Sequence, residues 1–281
     1  MDSVVQTLIQ VNSRAWELRD KRTDGLFLTD CPLTTVWISL AYLFVVKILG
    51  PTFMANRAPF ELRGALLAYN AFQILFNGYI FYHICRLSWF NGYSLICQPV
   101  DYSTNEDALQ LITTGYCFYL SKLIDFFDTF FFVLRKKNNQ ITFLHLFHHS
   151  VMPLSVWICF RFIVGGHCCF IVTLNSLVHV IMYFYYLMAA MGPRFQKYLW
   201  WKKYLTAFQM MQFVVVGLHS FQLLFIECDF PTAFSWWSAV QALLFFNLFK
   251  NFHTKTYKTN VASNFSSDST CISDSVPKKL S

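Results

Sequence analysis

Residues 168–190 read CCFIVTLNSLVHVIMYFYYLMAA and contain no Asp, Glu, Lys or Arg. At about 1.5 Å of rise per residue, a helix of this length crosses the roughly 30 Å hydrocarbon core of a bilayer. Its polar residues are not scattered. His179, Tyr183 and Tyr186 follow at steps of four and three and so share one helical face, with Asn175 and Tyr185 in the same stretch. A histidine inside a bilayer-length helix predicts an all-α membrane protein whose interior carries chemistry.

Six further stretches predict spans, at approximately 33–50, 65–85, 109–134, 141–163, 204–226 and 232–250. With 168–190 as the fifth, the first, fifth and sixth are the cleanest. The third is long and charged, and the seventh is short and aromatic-rich. The whole chain agrees: of 281 residues, 56% are hydrophobic and 13% charged, against about 25% charged in soluble domains. A soluble helical protein could not cover that much apolar surface with polar groups.

The net charge of +7 does not point to nucleic acid, because the cations cluster between apolar runs. Arg57 and Arg63 follow the first span, and Arg135, Lys136 and Lys137 follow the third. Arg194, Lys197, Lys202 and Lys203 follow the fifth, and Lys250, Lys255 and Lys258 follow the seventh. The loops between carry Arg86 and Arg161, or only Glu227 and Asp229. Cations on alternate loops place the N-terminus in the lumen and the C-terminus in the cytosol.

Residues 1–24 mix charge with Val4, Leu8, Val11, Ala15 and Leu18 at helical spacing. They predict a luminal lead-in, either a helix on the membrane surface or a frayed segment. Residues 25–252 form the membrane domain, and 253–281, rich in Ser, Thr, Asn and Lys, predict a disordered cytosolic tail. The tail ends Lys278-Lys279-Leu280-Ser281, which resembles a dilysine retrieval signal and points to the endoplasmic reticulum membrane. The sequon Asn264-Phe265-Ser266 should stay unglycosylated on that side.

Four spans carry polar groups at helical spacing. Lys122, Asp125 and Asp128 step by three; His145 precedes His148 by three and His149 by four; Gln209 and Gln212 repeat the step of three. Spans three and five end in the cytosol, and spans four and six begin there. Asp128, His148 and Gln209 therefore lie within roughly 12 Å of the cytosolic ends, with His179 slightly deeper and Lys122 near the middle. For Thr206, Gln209 and Gln212, inter-helix hydrogen bonding and a place in the site are evenly matched readings. Three histidines in five residues, beside a Lys/Asp helix, predict a catalytic site.

At these positions the sequence resembles the ELOVL family, the elongases of very-long-chain fatty acids. The box H-x-x-H-H stands at His145-Leu146-Phe147-His148-His149. K-x-x-E-x-x-D-T stands at Lys122 to Thr129, with Asp125 where the family has Glu. H-x-x-M-Y-x-Y-Y runs from His179 to Tyr186, and T-x-x-Q-x-x-Q from Thr206 to Gln212. The resemblance covers roughly residues 25–255. It implies seven transmembrane helices, six of them around a closed acyl-chain tunnel. It also implies a 3-oxoacyl-CoA synthase that condenses a long-chain acyl-CoA with malonyl-CoA, releasing CO2 and CoA.

No cofactor is implied beyond those two substrates. The ketoreductase, dehydratase and enoyl reductase of the elongation cycle are implied partners, with membrane lipid around the chain and a homodimer as a further expectation. His148 is the expected acyl acceptor, because neutral imidazole is nucleophilic, with His179 facing it across the tunnel. His145, His149 and Asn175 would orient the rings or stabilise an oxyanion. Lys122, Asp128 and Asp125 would set polarity, and Tyr183, Tyr186, Gln209 and Gln212 would line the substrate path. Lys136, Lys137, Arg194, Lys197, Lys202 and Lys203 would meet the CoA phosphates.

Cys97 and Cys228 fall on luminal loops and are expected to pair, with Cys31 an alternative partner. The segment Gln140 to Leu144 looks more like elongases of saturated and monounsaturated chains. Two rival readings remain. A di-iron desaturase or hydroxylase also uses an H-x-x-H-H box, but needs about eight histidines in three boxes, and this chain has eight histidines with one box. A seven-span receptor or transporter fits the span count but not charge pairs beside a histidine cluster facing the cytosol.

Overall fold

The computed structural model describes residues 13–255, Ala15 excepted, and its described residues contain helices and no strand. Helix α1 spans Pro32–Met54, opening on Pro32 and passing through a π-helical turn at Val45–Leu49. Then come α2 (Arg63–Leu87), α3 (Glu106–Ile124), α4 (Phe126–Leu134), α5 (Phe143–Ile163), α6 (Cys169–Ala190), α7 (Lys202–Gln222) and α8 (Thr232–His253). Local signals start two of them. The Asn105 side chain accepts from Ala108 N–H at 2.8 Å, with Glu106 and Asp107 in the first turn of α3. The Thr142 hydroxyl accepts from His145 N–H and so starts α5 at the histidine box.

The sequence predicts one span over 109–134; the structure has two helices, α3 and α4, meeting at Asp125. Pro32–Met54, Phe143–Ile163 and Gly166–Ala190 are long and apolar enough to cross a membrane. The sixth stretch, clean in sequence, is not among these three. Its helix stops at Gln222, short of the apolar Leu223 to Ile226, and Gln209, Gln212 and His219 lower the mean hydropathy of what remains.

The packing is inverted relative to a soluble protein. Large apolar side chains such as Trp37, Leu75, Leu218 and Leu243 are exposed on the outside, while Asn70, Gln73, Asn77, Lys122 and Asp125 are buried. Lipid accepts the former, and only interior partners can satisfy the latter. Helix contacts run in a ring, α2–α6–α7–α8–α5–α3 and back to α2, with α2 against α6 the most extensive. Helix α1 packs outside this ring, against α5.

At one end of the bundle the segment from Trp16 to Cys31 is packed onto α3 and α5. Arg161, read from sequence as a loop cation, is fully buried near the end of α5. Its guanidinium donates to Thr23 Oγ1 at 2.7 Å and Asp24 Oδ1 at 2.6 Å, and its carbonyl accepts from Asp20 N–H at 2.7 Å. Trp157 donates to the Thr29 carbonyl at 2.9 Å and stacks on Trp16. A buried cation demands such partners, and Asp20, Thr23 and Asp24 of this segment meet Arg161. At the same end, a disulfide joins Cys97 to Cys228, and Cys31 is an exposed free thiol. Val4, Leu8, Val11, Ala15, Lys258, the Asn264 sequon and the Lys278-Lys279 pair lie outside the described residues.

Burial works against the Asp24 carboxylate, but hydrogen bonds from Arg19 and Arg161 outweigh it and hold its pKa below the usual value. A depressed carboxylate contributes stability above its unfolded pKa, about 3.9, and loses it as pH falls through the folded value. Amide protection of residues 20–30, relative to unfolded-chain exchange at the same pH, should therefore be high at neutral pH and fall only in strong acid. Asp24→Asn should remove that pH dependence and loosen the segment at pH 7 by on the order of 1 kcal/mol, the exposed side of Asp24 limiting the effect. Hydrogen-exchange mass spectrometry checks both.

Candidate active site

The step of three through Lys122, Asp125 and Asp128 survives the α3–α4 junction, and all three side chains are buried. Lys122 Nζ donates to Asn175 Oδ1 at 2.9 Å and lies 3.5 Å from Asp125 Oδ2, with its ammonium 4.7 Å above the Phe118 ring. Asp125 Oδ1 accepts from Gln73 Nε2 at 2.7 Å and from the Tyr183 hydroxyl at 2.9 Å. The same hydroxyl lies 2.8 Å from Asp128 Oδ2. His179 Nδ1 stands 3.8 Å from Asp125 Oδ2, beyond hydrogen-bond reach. Helices α2, α3, α4 and α6 thus meet on one carboxylate.

A second relay orients the box. Tyr42 of α1 bonds Thr129 of α4 at 2.8 Å, and Thr129 bonds His145 Nε2 at 2.7 Å. His145 packs on His149 with ring centres 4.2 Å apart, and His148 sits edge-on to Phe245 of α8. Pro153 lies four residues after His149 within α5. It has no N–H for the His149 carbonyl, so the helix is loosened immediately behind the box.

The six helices of the ring line a largely apolar, partly open cavity of about 120 Å³, and none of its lining residues comes from α1. His148, Asn175 and Gln212 line it together; Gly115, Val164 and Cys168 line a region remote in sequence from the box. Asn175 is the link, one wall residue held by Lys122 of the buried cluster. His179 is not among the residues that line the cavity. Its helical face is the one Tyr183 shares, and Tyr183 is drawn to Asp125, so His179 turns toward the carboxylate.

The other expected positions separate. Tyr186 packs edge-on against Tyr183, and Gln209 reaches the Met182 sulfur at 3.4 Å. Lys137, Arg194, Lys197, Lys202 and Lys203 are exposed, on the loop after α4, on the α6–α7 connection and in the first turn of α7. Lys136 donates to the Ala55 carbonyl. Among the described residues, no three His, Cys, Asp or Glu side chains are grouped as metal ligands. Sequence reasoning missed Tyr42 and the amides of α2. Asn70, Gln73 and Asn77 recur at steps of three and four, the same signal that marked the charged spans, but carried by uncharged residues.

Residues 27–264 match the ELO family, GNS1/SUR4. The chain belongs to that family. It is 49% identical over 239 residues to very long chain fatty acid elongase 7 of Drosophila melanogaster, covering 85% of this chain and 73% of the relative. It is 45% identical to very long chain fatty acid elongase 7 of Rattus norvegicus, covering 85% of each. Against very long chain fatty acid elongase 1 of Homo sapiens the identity is 42%, covering 92% of this chain and 91% of the relative.

In this ELO-family chain Asp125 stands 3.5 Å from Lys122 and 3.8 Å from His179. Asp125→Glu should close those gaps and leave activity within about threefold, since the added methylene is small and the charge is kept. Tyr183→Phe leaves both carboxylates short of a partner. It should lower activity by about 10- to 100-fold, because losing a hydrogen bond to a charged group costs roughly 1.5–3 kcal/mol. Assays on membranes, normalised to folded protein, read both variants.

Proposed function

We propose that this chain condenses a long-chain acyl-CoA with malonyl-CoA to give 3-oxoacyl-CoA, CO2 and CoA, the first step of very-long-chain fatty acid elongation. The observation that carries the reading is His148 on the wall of a largely apolar, six-helix cavity, beside Asn175. An acyl chain fits apolar walls, and an imidazole at a polar position of that wall meets its thioester end. The relatives' names, very long chain fatty acid elongases, support fatty acid elongation as the process the reaction serves.

In this reading neutral His148 attacks the thioester carbonyl. The C–S bond breaks, CoA thiolate leaves, and the ring's remaining proton goes to it, giving CoA thiol and an acyl-imidazole. Malonyl-CoA then loses CO2, and its enolate carbon attacks the acyl carbonyl. The new C–C bond displaces imidazolide, which takes one proton, so the cycle consumes one proton overall. Asn175, held by Lys122, donates toward the developing oxyanion through its amide. The Thr129 relay fixes His145, which supports His149 and the box behind the nucleophile.

All seven helical stretches span the endoplasmic reticulum membrane, six around an acyl tunnel, with the N-terminus luminal and the C-terminus cytosolic. The CoA phosphates meet Lys137, Arg194, Lys197, Lys202 and Lys203 at the cytosolic mouth, while Lys136 is turned away to the Ala55 carbonyl. Reduction and dehydration fall to separate membrane enzymes. His148→Ala should lose condensation by at least about 10³-fold and lose the acylated peptide that mass spectrometry finds after incubation with acyl-CoA alone. Near-normal condensation without that adduct sinks the nucleophile assignment. Labelled malonyl-CoA incorporation by purified membranes tests the reaction itself.

A further inference from the structure

A second groove lies outside the ring, between α1 and the end of α4, with a volume of about 350 Å³. It shares no lining residue with the central cavity. Its floor is apolar, from Val46, Pro51 and Val133, and its polar lining comes from Lys47, Lys136 and Asn138. None of its lining residues is acidic.

Lys47 is the residue that needs an explanation. It is exposed on α1, a helix apolar enough to cross a membrane, and among the described residues it forms no hydrogen bond or ion pair. Seven residues separate it from Met54 at the helix end, roughly 10 Å along the axis. An ammonium at that depth is costly unless it reaches the interface and finds an anion. The backbone is shaped around it: the π-helical turn Val45–Leu49 is centred on Lys47, and such turns recur at functional sites. Close by, Gly50 lets α1 approach α4, since a Cβ there would meet Val133 Cγ1 at 2.6 Å. On the facing side Lys136 holds a left-handed backbone, φ 53°, and points its ammonium back to Ala55 O.

We infer that this groove seats the phosphate of an anionic glycerophospholipid from the leaflet around the Met54 end of α1. The phosphate bridges Lys47 and Lys136, the Asn138 amide donates to the headgroup, and the glycerol and upper acyl chains lie on Val46, Pro51 and Val133. A zwitterionic choline headgroup would bring its own cation against the two lysines, so the site selects net negative charge. The inference rests on the membrane reading of α1 and not on the condensation reaction, and its readout is lipid retention rather than activity.

The test is native mass spectrometry of the full chain released from detergent in equal phosphatidylserine and phosphatidylcholine. The wild type should retain phosphatidylserine preferentially. Lys47→Gln should cut that retention about fivefold, the worth of one interfacial lysine, and Lys47→Arg should keep it. Equal retention of the two lipids, or undiminished phosphatidylserine on Lys47→Gln, overturns the inference. Displacement of the lipid by CoA or by inorganic pyrophosphate also overturns it, assigning the groove to a soluble phosphate. A shifted melting point in Lys47→Gln leaves the comparison with Lys47→Arg, of similar size and charge, to decide.

Discussion

A lysine ammonium inside a bundle whose outside is apolar persists only if protein groups replace its water. Lys122 is the buried cation on which the rest of the interior depends, and its replacements come from Asn175, Asp125 and the Phe118 ring. Asp125 in turn accepts from Gln73 and Tyr183, so satisfying one charge draws in α2 and α6. The helix break between α3 and α4 falls at that carboxylate, and the α2–α6 contact is the broadest in the bundle. Removing one partner would strand a charge that the surroundings cannot hydrate. Helix registration therefore depends on this one cluster.

That cluster also bears on where the histidines stand. Four imidazoles belong to the recognised motifs, yet only His148 reaches the cavity wall. His145 is taken up by Thr129, His149 is buried between its neighbours, and His179 is turned to Asp125. Position in a motif does not assign a role; the neighbour each ring meets does. Helix α1 contributes nothing to the cavity but supplies Tyr42 to the relay behind the box. It stays coupled to the site while its outer face carries a separate groove.

The opposite end is closed by different physics. Arg161 would be an uncompensated buried charge without Thr23 and Asp24, and the disulfide ties the loop after α2 to the loop after α7. Apolar packing reinforces both devices, with Val100, Ile163, Leu223 and Phe230 clustered beside the disulfide and Trp16 and Leu28 packed near Trp157. The thinnest contact of the ring, between α5 and α8, is bridged by the Gln241–Ser155 hydrogen bond.

Much of this was legible in the linear order of residues. Apolar length set the helices, and the spacing of Lys122, Asp125, His145, His148 and His179 marked the candidate site, because helical periodicity places residues three and four apart on one side. The amides of α2 followed the same spacing but carried no charge to draw attention. Arg161 read as a loop cation because its partners lie 137 and 138 residues away. What the sequence determined alone was the set of helices and the faces bearing chemistry, since those are local properties of the chain. Which ring meets the cavity, where α3 breaks, and what Arg161 touches were decided only in three dimensions, because a buried charge is satisfied by whichever distant group packing brings to it.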